Sequence, residues 1–121
     1  MSGVNPDAPL VDDDVRRAFT SSPQLRETLG RAFDRMLAFY GLGRDATRIV
    51  RAPSFDERAR NWLHPGNHNH LRLSRILRTL ALLGRPDDAA ALLECLEAIA
   101  RDFPDRVTAT TLRYWRGSRT V

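Results

Sequence analysis

Lysine does not occur in this chain; all 19 basic residues are arginine. GC-rich coding accounts for that as readily as function does, since Ala, Leu, Gly and Pro are plentiful too. The functional alternative is bidentate recognition of phosphate or carboxylate, a geometry that suits arginine. The absence of lysine, with only 7% aromatic residues, weighs against strong single-strand nucleic-acid binding. Cysteine occurs once, at Cys95. No internal disulfide is available, and nothing indicates an oxidising compartment. On its apolar stretch that thiol reads as a small buried hydrophobe rather than a reactive or metal-binding group. No apolar run approaches the roughly 18 residues needed to span a membrane. Met1-Ser2-Gly3-Val4-Asn5-Pro6 carries neither a basic segment nor an apolar signal core. The expected location is cytoplasmic.

What is present suits one domain. A chain of 121 residues with 42% hydrophobic content can hide roughly two-thirds of its unfolded surface in a single core. The net charge of +4 is modest and spread along the chain, a weak pointer to nucleic acid. No repeat, low-complexity tract or linker divides the sequence. Periodicity and punctuation predict an all-α fold, an irregular bundle of about six helices. Residues 1–11 read as an extended arm, 12–117 as the helical domain and 118–121 as a tail.

A short first helix is expected from Asp12 to about Phe19, its acids Asp12, Asp13 and Asp14 at the positive end of the dipole. Ser22-Pro23 opens the second, a good N-cap followed by a residue suited to the first helical position. Leu25, Leu29, Phe33, Met36, Leu37 and Tyr40 fall on one face, and Gly41 is the natural stop. The segment from Leu42 to Pro53 is a polar connection bearing Arg44, Arg48 and Arg51, with Ile49 and Val50 pinning it as a short extended piece at most; no full strand is expected. Ser54-Phe55-Asp56-Glu57 reads as a capping box for a helix running to Trp62 or Leu63, which His64-Pro65-Gly66 breaks. Asn67 caps the next helix, whose buried stripe is Leu73, Ile76, Leu77, Leu80 and Leu83. Arg72, Arg75 and Arg78 lie opposite, on a solvated face. Pro86 opens a further helix burying Leu92, Leu93, Leu96, Ile99 and Phe103. A last helix from about Asp105 to Arg116 buries Val107, Leu112 and Trp115.

The stretch from Asn61 to Arg72 is the most unusual, with all three histidines, three asparagines and Trp62 at a helix N-terminus. Three readings compete. His64, His68 and His70 match the number of nitrogen ligands zinc often takes, but Pro65-Gly66 interrupts their register and no second cysteine or well-placed carboxylate completes the set. An anion or peptide-carboxylate site would use Asn67, His68 and Asn69 with Arg72 as clamp, Arg51 and Arg58 converging from the preceding elements and Trp62 beside them. The plainest reading makes Asn67, His68 and Asn69 caps and satisfiers of a tight junction. No hydroxyl or thiol nucleophile has an evident base, and no glycine loop for phosphate is present. The case for an enzyme is therefore poor, and no cofactor is expected.

Three blocks carry a family resemblance. Asn5-Pro6-Asp7-Ala8-Pro9-Leu10 is the first, and Arg35-Met36-Leu37-Ala38-Phe39-Tyr40-Gly41 the second. The third is Asn61 with His68-Asn69, then Leu71-Arg72-Leu73-Ser74-Arg75-Ile76-Leu77, closing at Leu82-Leu83-Gly84. In this order they resemble the N-terminal domain of the opioid growth factor receptor family. Pro65-Gly66-Asn67-His68-Asn69-His70 with Tyr114-Trp115 looks like its bacterial members. The resemblance implies a binding protein rather than a membrane-spanning receptor; the animal receptor is described as nuclear-associated and as binding an enkephalin peptide. It brings no catalytic residues. Family members usually carry a Trp-Leu-Phe-Pro segment upstream of the point where this chain begins. Its absence is expected to leave an apolar groove exposed, lined partly by Phe19, Phe33 or Phe39 and suited to self-association or a partner.

The leading expectation is thus a non-enzymatic module for an unidentified peptide or protein, with a homo-oligomer through the exposed groove as a further option. The alternative is nucleic-acid or other anion binding through Arg44, Arg48, Arg51, Arg72, Arg75 and Arg78, with a steep salt dependence. A metal-dependent hydrolase using the histidines ranks below both.

Overall fold

The computed structural model of the chain describes residues 13–118. The predicted arm, Asp12 and residues 119–121 of the tail lie outside the described residues. Helix α1 runs Asp13–Ser21 and α2 Pro23–Tyr40. The hairpin strands are β1 Leu42–Asp45 and β2 Arg48–Arg51; the remaining helices are α3 Phe55–Ala59, α4 His68–Leu82, α5 Pro86–Asp102 and α6 Ala109–Ser118. The fold is largely helical, as expected.

The punctuation of α2 acts as its residue types predict. The Ser22 side chain accepts from the Leu25 amide, Pro23 takes the first turn, and Gly41 ends the helix at φ 76°. Gly41 has a second reason to be glycine: a Cβ there would stand 2.6 Å from the Phe55 Cα, so α3 starts directly against the end of α2. Asn67 caps α4 by accepting from the Asn69 amide. Pro86 lies in the first turn of α5.

The connection after α2 departs from expectation. Residues 42–51 form an antiparallel hairpin in which Leu42 pairs with Arg51 and Arg44 with Ile49. Residues directly opposite one another share a face of the ribbon, so Leu42, Arg44, Ile49 and Arg51 point the same way. That face lies inward. Leu42 and Ile49 enter the core, while the two arginines reach over it to carboxylates. Arg44 Nη1 and Nη2 donate to both Asp88 oxygens at 2.8 and 3.0 Å, and its Nε donates to Asp34. Arg51 pairs with Asp102 and lies over the Phe55 ring. The arginine-rich connection is therefore a clamp from the hairpin to α2 and α5.

Asp88 is the hub of that clamp. Burial raises its carboxyl pKa, but the hydrogen bonds and charges of Arg44 and Arg85 outweigh burial and hold it below its ordinary value. Arg85 also donates to the Arg26 carbonyl at 2.9 Å. Its guanidinium passes over Gly30, where a Cβ would stand 2.7 Å from Cζ. A glycine in mid-helix costs about 1 kcal/mol relative to alanine; here it opens the surface of α2 to the arginine.

Two further expectations are corrected. The capping box at Ser54 does not form: Ser54 sits at φ −82°, ψ 1° and its side chain makes no cap bond, whereas a serine cap needs an extended backbone. The helix behind it ends at Ala59, and the chain turns so that Trp62 and Leu63 enter the core. The last helix starts at Ala109 rather than Asp105; Thr108 receives the Thr111 amide at its entrance, and Val107 is buried in the preceding turn. One core cluster joins α2, the hairpin, α4, α5 and α6, with Trp62, Leu77, Leu96, Ile99 and Trp115 at 0% exposure.

Candidate functional site

The corner between α3 and α4 is a joint made of ring N–H groups and backbone carbonyls. Trp62 Nε1 donates to the Tyr40 carbonyl at 3.1 Å. His70 Nε2 donates to the Trp62 carbonyl at 2.9 Å. Trp115 Nε1 donates to the His70 carbonyl at 2.9 Å. The three bonds tie the end of α2, the loop after α3, the first turn of α4 and α6 in sequence. The same rings stack edge-on, Tyr40 to Trp62 to His70 to Trp115, with centroids 5.5–6.1 Å apart. Tyr40 also reaches the Asn69 amide oxygen at 3.4 Å. Buried polar groups are stable only when paired, and this corner pairs nearly all of its own.

One atom is left over. With Nε2 carrying a proton to Trp62, the His70 Nδ1 is buried without a partner among the described residues. Burial, with a smaller contribution from His64, pushes the imidazole pKa below 6.5, and the bond to Trp62 only partly offsets it. His70 is thus held neutral by its surroundings.

The seven residues singled out by sequence separate. Trp62 and Asn69 are buried at 0% and 4% exposure and offer a ligand almost no surface. Asn67 is occupied as the α4 cap. His68 is exposed. Arg51 is engaged with Asp102, and Arg58 stands exposed beside Gly41. No hydrogen bond or ion pair among the described residues joins Arg51 or Arg58 to Asn67, His68 or Arg72. The three histidines also part: His64 Nε2 donates to the Arg60 carbonyl at 2.6 Å while His70 faces inward. Among the described residues no group of three or more His, Cys, Asp or Glu lies together as metal ligands would.

Arg72 belongs elsewhere. It lines a groove of about 700 Å³ between α2 and α4. The two helices contribute to one core but are not closely packed along their length. The wedge between them is floored by Phe33, Tyr40 and Leu80 and walled by Leu29, Met36, Phe39 and Ile76. Met36 and Phe39 are 46% and 43% exposed, so the depression is open among the described residues. Phe33 and Phe39 line it; Phe19 does not. Among the described residues its rim carries Arg35, Arg72 and Arg75 and no carboxylate. Arg72 acts on Tyr40 electrostatically: burial raises the phenol pKa and the Arg72 charge partly counters it.

Met36 was read with one buried face because α2 carries two adjacent apolar stripes, and Arg35 was not singled out. At about 100° per residue, Phe33, Leu37 and Tyr40 form one and Leu25, Leu29, Ala32, Met36 and Phe39 the other. The combined apolar arc is about 160°, wider than one buried face needs. That width was the available signal.

A second depression of about 610 Å³ lies between the hairpin and α5. Its arginines, Arg48, Arg51 and Arg101, are interleaved with Asp87 and Glu94, and Cys95 lies on its floor. Burial pushes the Cys95 thiol up to about 11, leaving it protonated and unreactive at neutral pH.

The chain is thus a small, largely helical domain with a buried aromatic joint and an arginine-rimmed apolar groove. The family model for the opioid growth factor receptor (OGFr) conserved region matches residues 1–118, and the chain belongs to that family. The mouse opioid growth factor receptor is 44% identical over 86 residues, covering 68% of this chain and 13% of the receptor. For the human receptor the identity is 41% over 86 residues, covering 68% of this chain and 12% of the receptor. The chain therefore spans a small part of the length of these curated relatives. No solved structure matches it. No described helix is long and apolar enough to cross a membrane.

Proposed function

We propose that this chain is a non-enzymatic peptide- or protein-binding module and that the α2–α4 groove is its binding face. The observation that carries the reading is the convergence of Met36, Phe39 and Ile76 in one depression. Single exposed apolar residues are ordinary; several lining one concavity mark an interaction site. The relatives' name, receptor for an opioid growth factor, supports a binding role for the domain they share with this chain. Of the six arginines that favoured nucleic acid, Arg44, Arg48 and Arg51 face carboxylates of the protein itself. That leaves less free positive charge for a phosphate backbone than the sequence suggested.

A thermal-shift screen of the full chain against peptides, nucleotides, oligonucleotides and divalent metals tests this. Apolar peptides should raise the melting temperature of the parent but not of Met36→Glu or Phe39→Glu, which alter exposed side chains and are expected to stay folded. Stabilisation by oligonucleotides or metals alone, or turnover of any compound in the screen, would defeat it.

A further inference from the structure

We infer that the occupant of the α2–α4 groove is a partner helix whose apolar stripe is flanked by acidic residues. The inference rests on the reading of the groove as the binding face and adds the chemistry of the partner. Two helices form the walls, so the complementary shape is a third helix seated between their ridges. The charge pattern selects the flanks. Arg35 projects from the α2 wall and Arg72 and Arg75 from α4. Among the described residues none of the three side chains makes a hydrogen bond or ion pair, while Arg44, Arg48, Arg51, Arg85 and Arg116 each face a carboxylate. Other arginines, Arg58, Arg60 and Arg78 among them, also lack a carboxylate partner among the described residues; what sets these three apart is that they stand together around an apolar floor.

A second copy of the chain fits this surface poorly. In a two-fold dimer the same patch meets itself, and each set of three arginines would face the other. Glutamates flanking a Leu or Phe stripe would instead pair with both walls as the stripe covered Met36 and Phe39. Such rim charges contribute more to specificity and association rate than to raw affinity, so the discriminating observation is a preference among partners of equal hydrophobicity.

The experiment uses the full chain and three synthetic helical peptides of about 18 residues sharing one leucine stripe. The stripe is flanked by Glu in the first, Gln in the second and Lys in the third. Fluorescence anisotropy should give the Glu peptide an affinity about tenfold above the Gln peptide and the Lys peptide the weakest. The Glu preference should shrink as salt rises. In Arg72→Glu/Arg75→Glu, which alters only exposed or half-buried side chains, the Lys peptide should become the best ligand. Equal binding of all three would overturn the acidic partner and leave the groove reading standing. No binding of any would overturn both. Sedimentation showing a dimer that Phe39→Glu dissociates would replace the partner with a second copy.

Discussion

His70→Ala and His68→Ala are neighbours in sequence with very different expected costs. His70 is 4% exposed, touches Trp62 and Trp115, and supplies the donor to the Trp62 carbonyl. Its removal orphans that buried carbonyl at a cost of about 1–3 kcal/mol and opens a cavity worth about 2 kcal/mol more. Loss of the unpartnered Nδ1 and the better helix propensity of alanine return about 1 kcal/mol. The net loss is about 3 kcal/mol, or about 10 °C in Tm for a domain of this size. His68 is exposed and without such partners, so His68→Ala should stay within about 0.5 kcal/mol of the parent. Urea unfolding followed by tryptophan fluorescence measures both. The pH dependence supplies a second check. Because the folded pKa of His70 is depressed, the unfolded chain takes up this proton first. The stability from neutral His70 is complete above about pH 6.5 and is lost as pH falls toward the lowered folded value, by at most about 1.4 kcal/mol per pH unit. His70→Ala should flatten that slope. Equal destabilisation by the two substitutions, or a slope that survives His70→Ala, would refute the account of the corner as a joint.

Gly41→Ala forces a side chain into the left-handed region and against the Phe55 backbone; a loss of at least about 2 kcal/mol in chemical unfolding is expected. Gly30→Ala gains about 1 kcal/mol of helix propensity but displaces the Arg85 guanidinium from Asp88 and the Arg26 carbonyl. It should be destabilising in the parent and stabilising in an Arg85→Ala background, a reversal that a double-mutant cycle reads directly. Cys95, 7% exposed and with its thiol pushed up to about 11, should react with a thiol reagent at pH 7 only as fast as the chain opens. Rapid stoichiometric labelling of native protein would contradict its place on the core side of α5.

The helices were legible where local chemistry decides them: Ser22-Pro23, Gly41 and Asn67 act through short-range backbone geometry. The hairpin was hidden because its turn is Ala46-Thr47, and Ala46 adopts φ 56° with neither the glycine nor the asparagine that announces such a turn. Its strands are stabilised instead by distant carboxylates, Asp88 and Asp102, which no local pattern reveals. The Ser54 signature failed for a related reason: the approach of Phe55 to Gly41 and the burial of Trp62 govern α3 more strongly than its cap. At the corner the residue types were noticed but their direction was not. Asn69, His70 and Trp62 turn inward because the three ring N–H bonds are made across chain separations from 8 to 45 residues. The groove was anticipated from Phe33 and Phe39; its arginine rim emerges only when α2 and α4 are set side by side.

The most direct test of the account is an amide chemical-shift map of the full chain titrated with the glutamate-flanked peptide. The predicted result is a continuous set of shifts on the groove faces of α2 and α4, around Met36, Phe39, Arg72 and Ile76. Residues 61–68 and the β1–β2 hairpin should stay unmoved. Shifts centred on the corner at Asn67 and His68, with α2 unaffected, would contradict it and return the binding site to the joint.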